Sequence, residues 1–242
     1  MAVKRSHNGT RLLMTFELVA RLQPIGVSAL ARELGEDKSA LQRDLMTLAD
    51  AGWIRTAPGL RGQWELTLRM MSLAKPPHSN QGLRQRMRPL LEQIHARTGE
   101  TVYLTLPHEA GFMVFDALES QHIHRIVPSI GMTIPIEGSA TAKAFLAHLG
   151  PADLEARLGR TPSPEMEQEF AALRACGYAT SHRGVVPGSA AVAGAIVNSQ
   201  DKPVSTLVVV GPAERLTEAR LVEIGIMLRD TCRLGSSLWP DD

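Results

Sequence analysis

Along the first part of the chain the hydrophobic positions form short helical stripes, cut by glycine and proline. In RLLMTFELVARL (11–22), Leu12, Leu13, Phe16 and Val19 recur at helical spacing, and Pro24-Ile25-Gly26 ends the run. A second stripe opens at Val27-Ser28, turns Leu30, Ala31 and Leu34 inward and stops at Gly35. A third runs from Lys38 to Asp50. WIRTA and QWELT then alternate on either side of Pro58-Gly59-Leu60-Arg61-Gly62, the pattern of a hairpin. Three helices followed by a hairpin predict a winged helix-turn-helix over residues 1–75.

The polar residues of the third stripe sharpen this picture. With Leu41, Leu45 and Leu48 inward, a step of about 100° per residue puts Ser39, Arg43, Met46 and Thr47 on the opposite face and Gln42 on its flank. A helix this size fits the major groove of double-stranded DNA, where Arg clasps guanine and Gln adenine, and Ser39 with nearby amides suits phosphate. Ser28 and Lys38, at the starts of the second and third helices, and Arg61, at the hairpin tip, complete the expected DNA-binding set. The plainer alternative is a helical hairpin with solvated polar residues, or one that binds protein.

A proline-rich, polar break, AKPPHSNQG (74–82), marks a boundary. Leu83, Met87, Leu90, Leu91 and Ile94 then form a helical stripe with Pro89 inside it, so a kink or a fresh helix start is expected there, and residues 76–98 read as a linker with a connecting helix. From Thr101 the period becomes that of strands. TVYLTL and GFMVFDAL form a hairpin, QHIHRIV (121–127) is expected as a third strand, and a helix from Ala140 to Leu149 follows Glu137-Gly138-Ser139. A helix over 165–175 stops at Gly177. AVAGAIV and PVSTLVVV follow as strands, and an amphipathic helix runs from Thr217 to about Leu234. Antiparallel strands with helices grouped around them make residues 99–242 an α+β domain.

Charge supports the division. The first 100 residues hold 15 lysines and arginines against 9 acidic residues, and the remainder 11 against 16, although the net charge is only +1. A basic front joined to an acidic back suits a polyanion-binding module attached to one that is not. The N-terminus has no apolar leader pattern and no stretch approaches a membrane span, so no membrane association and a cytoplasmic location are expected. Cys176 and Cys232 sit within helical patterns and read as small hydrophobes. His122 and His124 share one face of the expected strand, but no third ligand stands at metal-site spacing, so neither metal nor other cofactor is expected. G-x-S-x-G, a glycine-rich phosphate loop and H-E-x-x-H are all missing from the sequence, so a cytosolic enzyme acting on a small organic acid, with a helical accessory domain, stands as the second reading.

The order and spacing of several segments resemble the IclR-type bacterial transcriptional regulators over almost the whole chain. They are the winged front end with Lys38-Ser39 and Arg43, TGETVYLTL (98–106), Pro135 before GSATAKAFLAHL (138–149), LRACGYATS (173–181) and DKPVSTLVVVGP (201–212). The resemblance implies a repressor or activator, a homodimer or homotetramer, whose GAF-like C-terminal domain binds a small-molecule effector. Relatives that bind small carboxylates use a Gly-Ala amide pair at the start of the central helix and Cys and Ser on the last two strands. Here these positions fall on Ala140 and Thr141, and on Ala191, Val208 and Val210. Ser139 as helix cap, with Met132 and Ile134 from the preceding loop, completes the implied effector site. With most of the polar ring replaced, an aromatic or apolar acid is the expected effector.

Overall fold

The computed structural model describes residues 6–70, 78–109, 111–182 and 185–240. The chain divides into two compact units, residues 1–77 and 78–242.

In the first unit, α1 (His7–Leu22) starts earlier than the stripe predicted, because Ser6 caps it by accepting from the Gly9 amide. It buries Thr15, Leu18 and Val19, and Leu13, expected inward, is 63% exposed. The buried face is rotated from the predicted one because Thr15 satisfies its hydroxyl on the Arg11 carbonyl one turn back and so can sit in the core. α2 (Val27–Leu34) ends at Gly35, whose φ of 66° is the left-handed conformation that glycine adopts without strain. α3 (Lys38–Asp50) is capped by Asp37, which accepts from the amides of Ser39 and Ala40. Strands β1 (Ile25–Gly26), β2 (Ile54–Thr56) and β3 (Gln63–Leu66) form an antiparallel sheet in the order β1-β3-β2. Leu18, Val19, Leu30, Leu41, Leu45, Leu48, Ile54 and Trp64 close the core.

The second unit begins with α4 (His78–Thr98), a single helix with Pro89 inside it. No new helix starts at Pro89, and residues 78–82 of the expected break are helical; residues 71–77 lie outside the described residues. Strands β4 (Thr101–His108), β5 (Gly111–Leu118), β6 (Thr133–Ile134), β7 (Ala179–His182), β8 (Ser189–Val197) and β9 (Pro203–Pro212) form one antiparallel sheet in the order β6-β5-β4-β9-β8-β7. The helices are α5 (Ala140–Leu146), α6 (Pro151–Leu158), α7 (Pro164–Cys176) and α8 (Glu218–Leu238).

Strand alternation sorts the core into two layers. Val102, Leu104, Val192, Leu207 and Val209 meet α4 and α8, while Tyr103, Ala193, Val208 and Val210 meet α5. The expected strand 121–127 is absent. Gln121 through His124 are exposed bends and Arg125 is exposed and irregular, with Ile123 at 90%, because the free edge of β5 is taken by residues 131–134. α6 and β7 were not legible beforehand, although Pro151 at the first helical turn and left-handed Gly159 bracket α6 in the sequence. Among the described residues no helix is long and apolar enough to cross a membrane.

Candidate functional sites

In the first unit the turn Gly35–Asp37 sets α3 against α2, and core packing fixes which way α3 faces. Leu41 and Leu45 are fully buried, Leu48 nearly so, and Asp44 is buried against Arg11 of α1. Gln42, Arg43, Met46 and Thr47 are consequently exposed along one face, with Lys38 and Ser39 at its start. Ser28 is exposed on α2 and Arg61 in the β2–β3 turn. Lys38, Arg43 and Arg61 enter no ion pair among the described residues, so their charge remains available to a polyanion. The Ser39 hydroxyl is already engaged, donating to Asp37 at 2.5 Å. This bond, followed by the Ser39 and Ala40 amides, holds the Asp37 carboxyl below its ordinary range. Ser39 therefore offers an external partner only its lone pairs.

In the second unit the start of α5, the inner faces of β4, β8 and β9 and the loop before β6 enclose a cavity of about 90 Å³. Seven of the eight expected effector residues line it: Met132, Ile134, Ser139, Ala140, Thr141, Ala191 and Val210. Val208 does not. It is fully buried beneath α5, level with Ala193, two residues along the strand from Val210 and roughly 7 Å from it. The lining also includes Tyr103, Ile126, Val127, Pro128, Ser181, Val185, Val186 and Ser189, which the sequence reading did not assign. Only Tyr103 carried a usable signal, as the central residue of TVYLTL on the same strand face as Thr101 and Thr105.

The hydroxyls at this cavity are more numerous than expected, but most have spent their protons. Ser139 donates to the Pro135 carbonyl at 2.7 Å, Ser181 to Gly138 at 2.7 Å and Ser189 to Val186 at 2.6 Å. Ser139 also accepts from the Ala142 amide at 3.1 Å as the cap of α5. Tyr103 differs. Burial pushes its phenol up to about 12, against a hydrogen bond from Thr141 that favours the phenolate. It stays protonated, and whichever of the Tyr103 and Thr141 hydroxyls donates to the other, one O–H is left to turn to a ligand. The first-turn amides of Ala140 and Thr141 have no acceptor within the helix and add donors at the same end. No described lining residue carries a charge at neutral pH. The cavity therefore has an apolar body and one donor-bearing end.

His122 and His124 are exposed on the bend, and no three His, Cys, Asp or Glu side chains among the described residues form a metal-holding group.

The family model described as bacterial transcriptional regulator IclR, C-terminal, matches residues 78–236. The transcriptional repressor IclR of Escherichia coli K12 is 26% identical over 235 residues, covering 90% of this chain and 85% of its own length. The HTH-type transcriptional regulator BhcR of Paracoccus denitrificans is 27% identical over 222 residues, covering 87% and 79%. In fold, the crystal structure of an IclR family transcriptional regulator from Brucella abortus superimposes with a TM-score of 0.79 at 22% identity, over 98% of this chain and 94% of that one. With well over half of its length matched by the family model, the chain belongs to the IclR family of bacterial transcriptional regulators, and the catalytic alternative falls away.

Proposed function

We propose that this regulator reads double-stranded operator DNA with the outward face of α3, as a cytoplasmic homodimer or homotetramer, and responds to a small-molecule effector held in the cavity beside α5. Gln42, Arg43, Met46 and Thr47 supply the base-reading surface, and Ser28, Lys38, Ser39 and Arg61 flank it. The observation that carries this reading is the exposure of that whole face while Leu41, Leu45 and Leu48 on the other side are buried. One winged unit presents little surface for tight specific binding, so two copies on a site with partial two-fold symmetry are expected. Fluorescence anisotropy with duplex DNA from upstream of the gene tests it. Specific, salt-sensitive binding is expected, and binding no tighter than to unrelated duplex would overturn it.

The effector class follows from the cavity. Apolar walls favour a ring or branched chain, and donors at one end favour a single anionic or polar head. Calorimetry with benzoate and with branched-chain acids, against glyoxylate and pyruvate, decides the matter: the bulkier acids should bind more tightly. Tight glyoxylate binding without benzoate binding would sink the apolar-pocket reading. Ala140→Trp, which fills the cavity, should abolish effector binding and leave DNA binding measurable.

A further inference from the structure

Strand β5 is held on consecutive residues by two different parts of the second unit. Val114 is tied to the cavity wall: its amide donates to the Met132 carbonyl at 2.8 Å, and its carbonyl accepts from Gly131 at 2.8 Å. Ile134, another wall residue, pairs with Phe112. One residue further on, the Phe115 carbonyl accepts from Arg84 Nη2 at 2.7 Å. Next to it Asp116, buried at 3% exposure, accepts from Arg88 Nη1 on both oxygens at 3.1 and 3.2 Å. Arg84 and Arg88 lie one turn apart on α4, the element by which the chain enters this unit from the DNA-reading one.

The junction sits at a bulge. Leu104 pairs with Asp116 and Thr105 with Val114, leaving Phe115 as the extra residue, and such irregularities re-aim the side chains around them. The arginines are not equally satisfied. Arg84 Nε is buried with no hydrogen-bond partner, 3.6 Å from Asp116 Oδ1. A buried donor left unpaired is disfavoured, and a shift of less than an ångström would bring it onto that oxygen. Two arrangements are therefore close together: the observed one, with the carboxylate on Arg88, and another in which Arg84 takes Oδ1 through Nε.

We infer that Asp116, with Arg84 and Arg88, is a positioning cluster that couples occupancy of the cavity to α4. Displacement of Met132 and Ile134 by a bound molecule moves Val114 through its two backbone bonds. The bulge passes that motion to Phe115 and Asp116, and the carboxylate changes its arginine. The cluster touches no effector. The inference rests on the cavity being the effector site, and it supplies the regulation of that site.

The test needs no identified effector. Ala191→Phe fills the cavity from β8, and amide hydrogen exchange over residues 84–92 is measured in the full chain, alone and combined with Asp116→Asn. Ala191→Phe should change exchange in that segment by about threefold or more, and the change should vanish in the Asp116→Asn background. Thermal midpoints of the two changes should fail to add, because coupled sites give a non-additive cycle and independent ones an additive one. Unchanged exchange with Ala191→Phe, or an equal change with and without Asp116, would overturn the proposal. If Asp116→Asn does not fold by circular dichroism, Arg84→Lys, which keeps the charge and removes the Nε donor, replaces it in the same cycle. Binding of benzoate and branched-chain acids by the unaltered chain is scored separately by calorimetry, so failure of the effector-site reading is distinguishable from failure of this coupling.

Discussion

Arg11 on α1 grips Asp44 on α3 with two bonds, Nε to Oδ2 at 2.7 Å and Nη2 to Oδ1 at 3.2 Å, and both side chains are largely withdrawn from water. Arg43, the neighbour of Asp44, points away to solvent. The pair acts as a stop on the rotation of α3: a turn that exposed Asp44 would break both bonds. Asp44→Asn should lower the melting temperature and also weaken specific DNA binding, because Arg11 is left without its carboxylate and α3 is less well held. Calorimetric melting together with anisotropy on upstream DNA checks this. Loss of neither would show that leucine packing alone sets the helix.

The two faces of α3 should separate cleanly under mutation. Arg43→Ala should cost about 1–3 kcal/mol of specific DNA binding and leave stability unchanged, since Arg43 is exposed. Leu45→Ala, at a fully buried position, should destabilise by about 2–5 kcal/mol through the cavity it leaves. Urea denaturation and DNA titration of both variants decide it. An Arg43→Ala protein with undiminished operator affinity would remove that residue from the reading face.

Stability at alkaline pH should fall in two stages. Burial pushes the Cys232 thiol from 9.0 up to about 12, and the Tyr103 phenol from 10.0 to about 12. Each group ionises more readily in the unfolded chain, so its contribution is complete below the unfolded value and is lost as pH rises toward the folded one. The loss should be about 1.4 kcal/mol per pH unit above pH 9, roughly doubling above pH 10. Chemical denaturation between pH 8 and 11 measures it. Cys232→Ala should delete the lower stage and Tyr103→Phe the upper; curves identical to the unaltered protein would contradict the assignment.

At Gly225 on α8 an added Cβ would run into the Tyr178 ring. Gly225→Ala should therefore destabilise by about 1–3 kcal/mol despite alanine's better helix propensity. Val222→Ala, on the exposed side of the same helix, should be close to neutral. Urea midpoints of the pair test this, and a stabilised Gly225→Ala protein would mean that the ring swings aside.

The sequence by itself determined the elements whose signal is local. Gly35 ends α2, the leucines of α3 define its inner face, and the alternation in PVSTLVVV places Val208 and Val210 on one side of the sheet, because helical and strand periods depend only on neighbouring backbone geometry. Local order also carried the segments that resemble the family. Tertiary structure decided what periodicity leaves open. Alternation gives a face but not a depth, so only the closing of α5 over the sheet puts Val210 on the cavity and Val208 beneath the helix. Residues 121–127 have a strand's composition, yet a strand needs a free edge, and residues 131–134 occupy the one on β5. Tyr103, Ser181 and Ser189 reach the cavity from three different strands, and Asp116 meets Arg84 and Arg88 about thirty residues away. Contacts of that range are set by how the sheet is ordered and covered, and no local pattern encodes that.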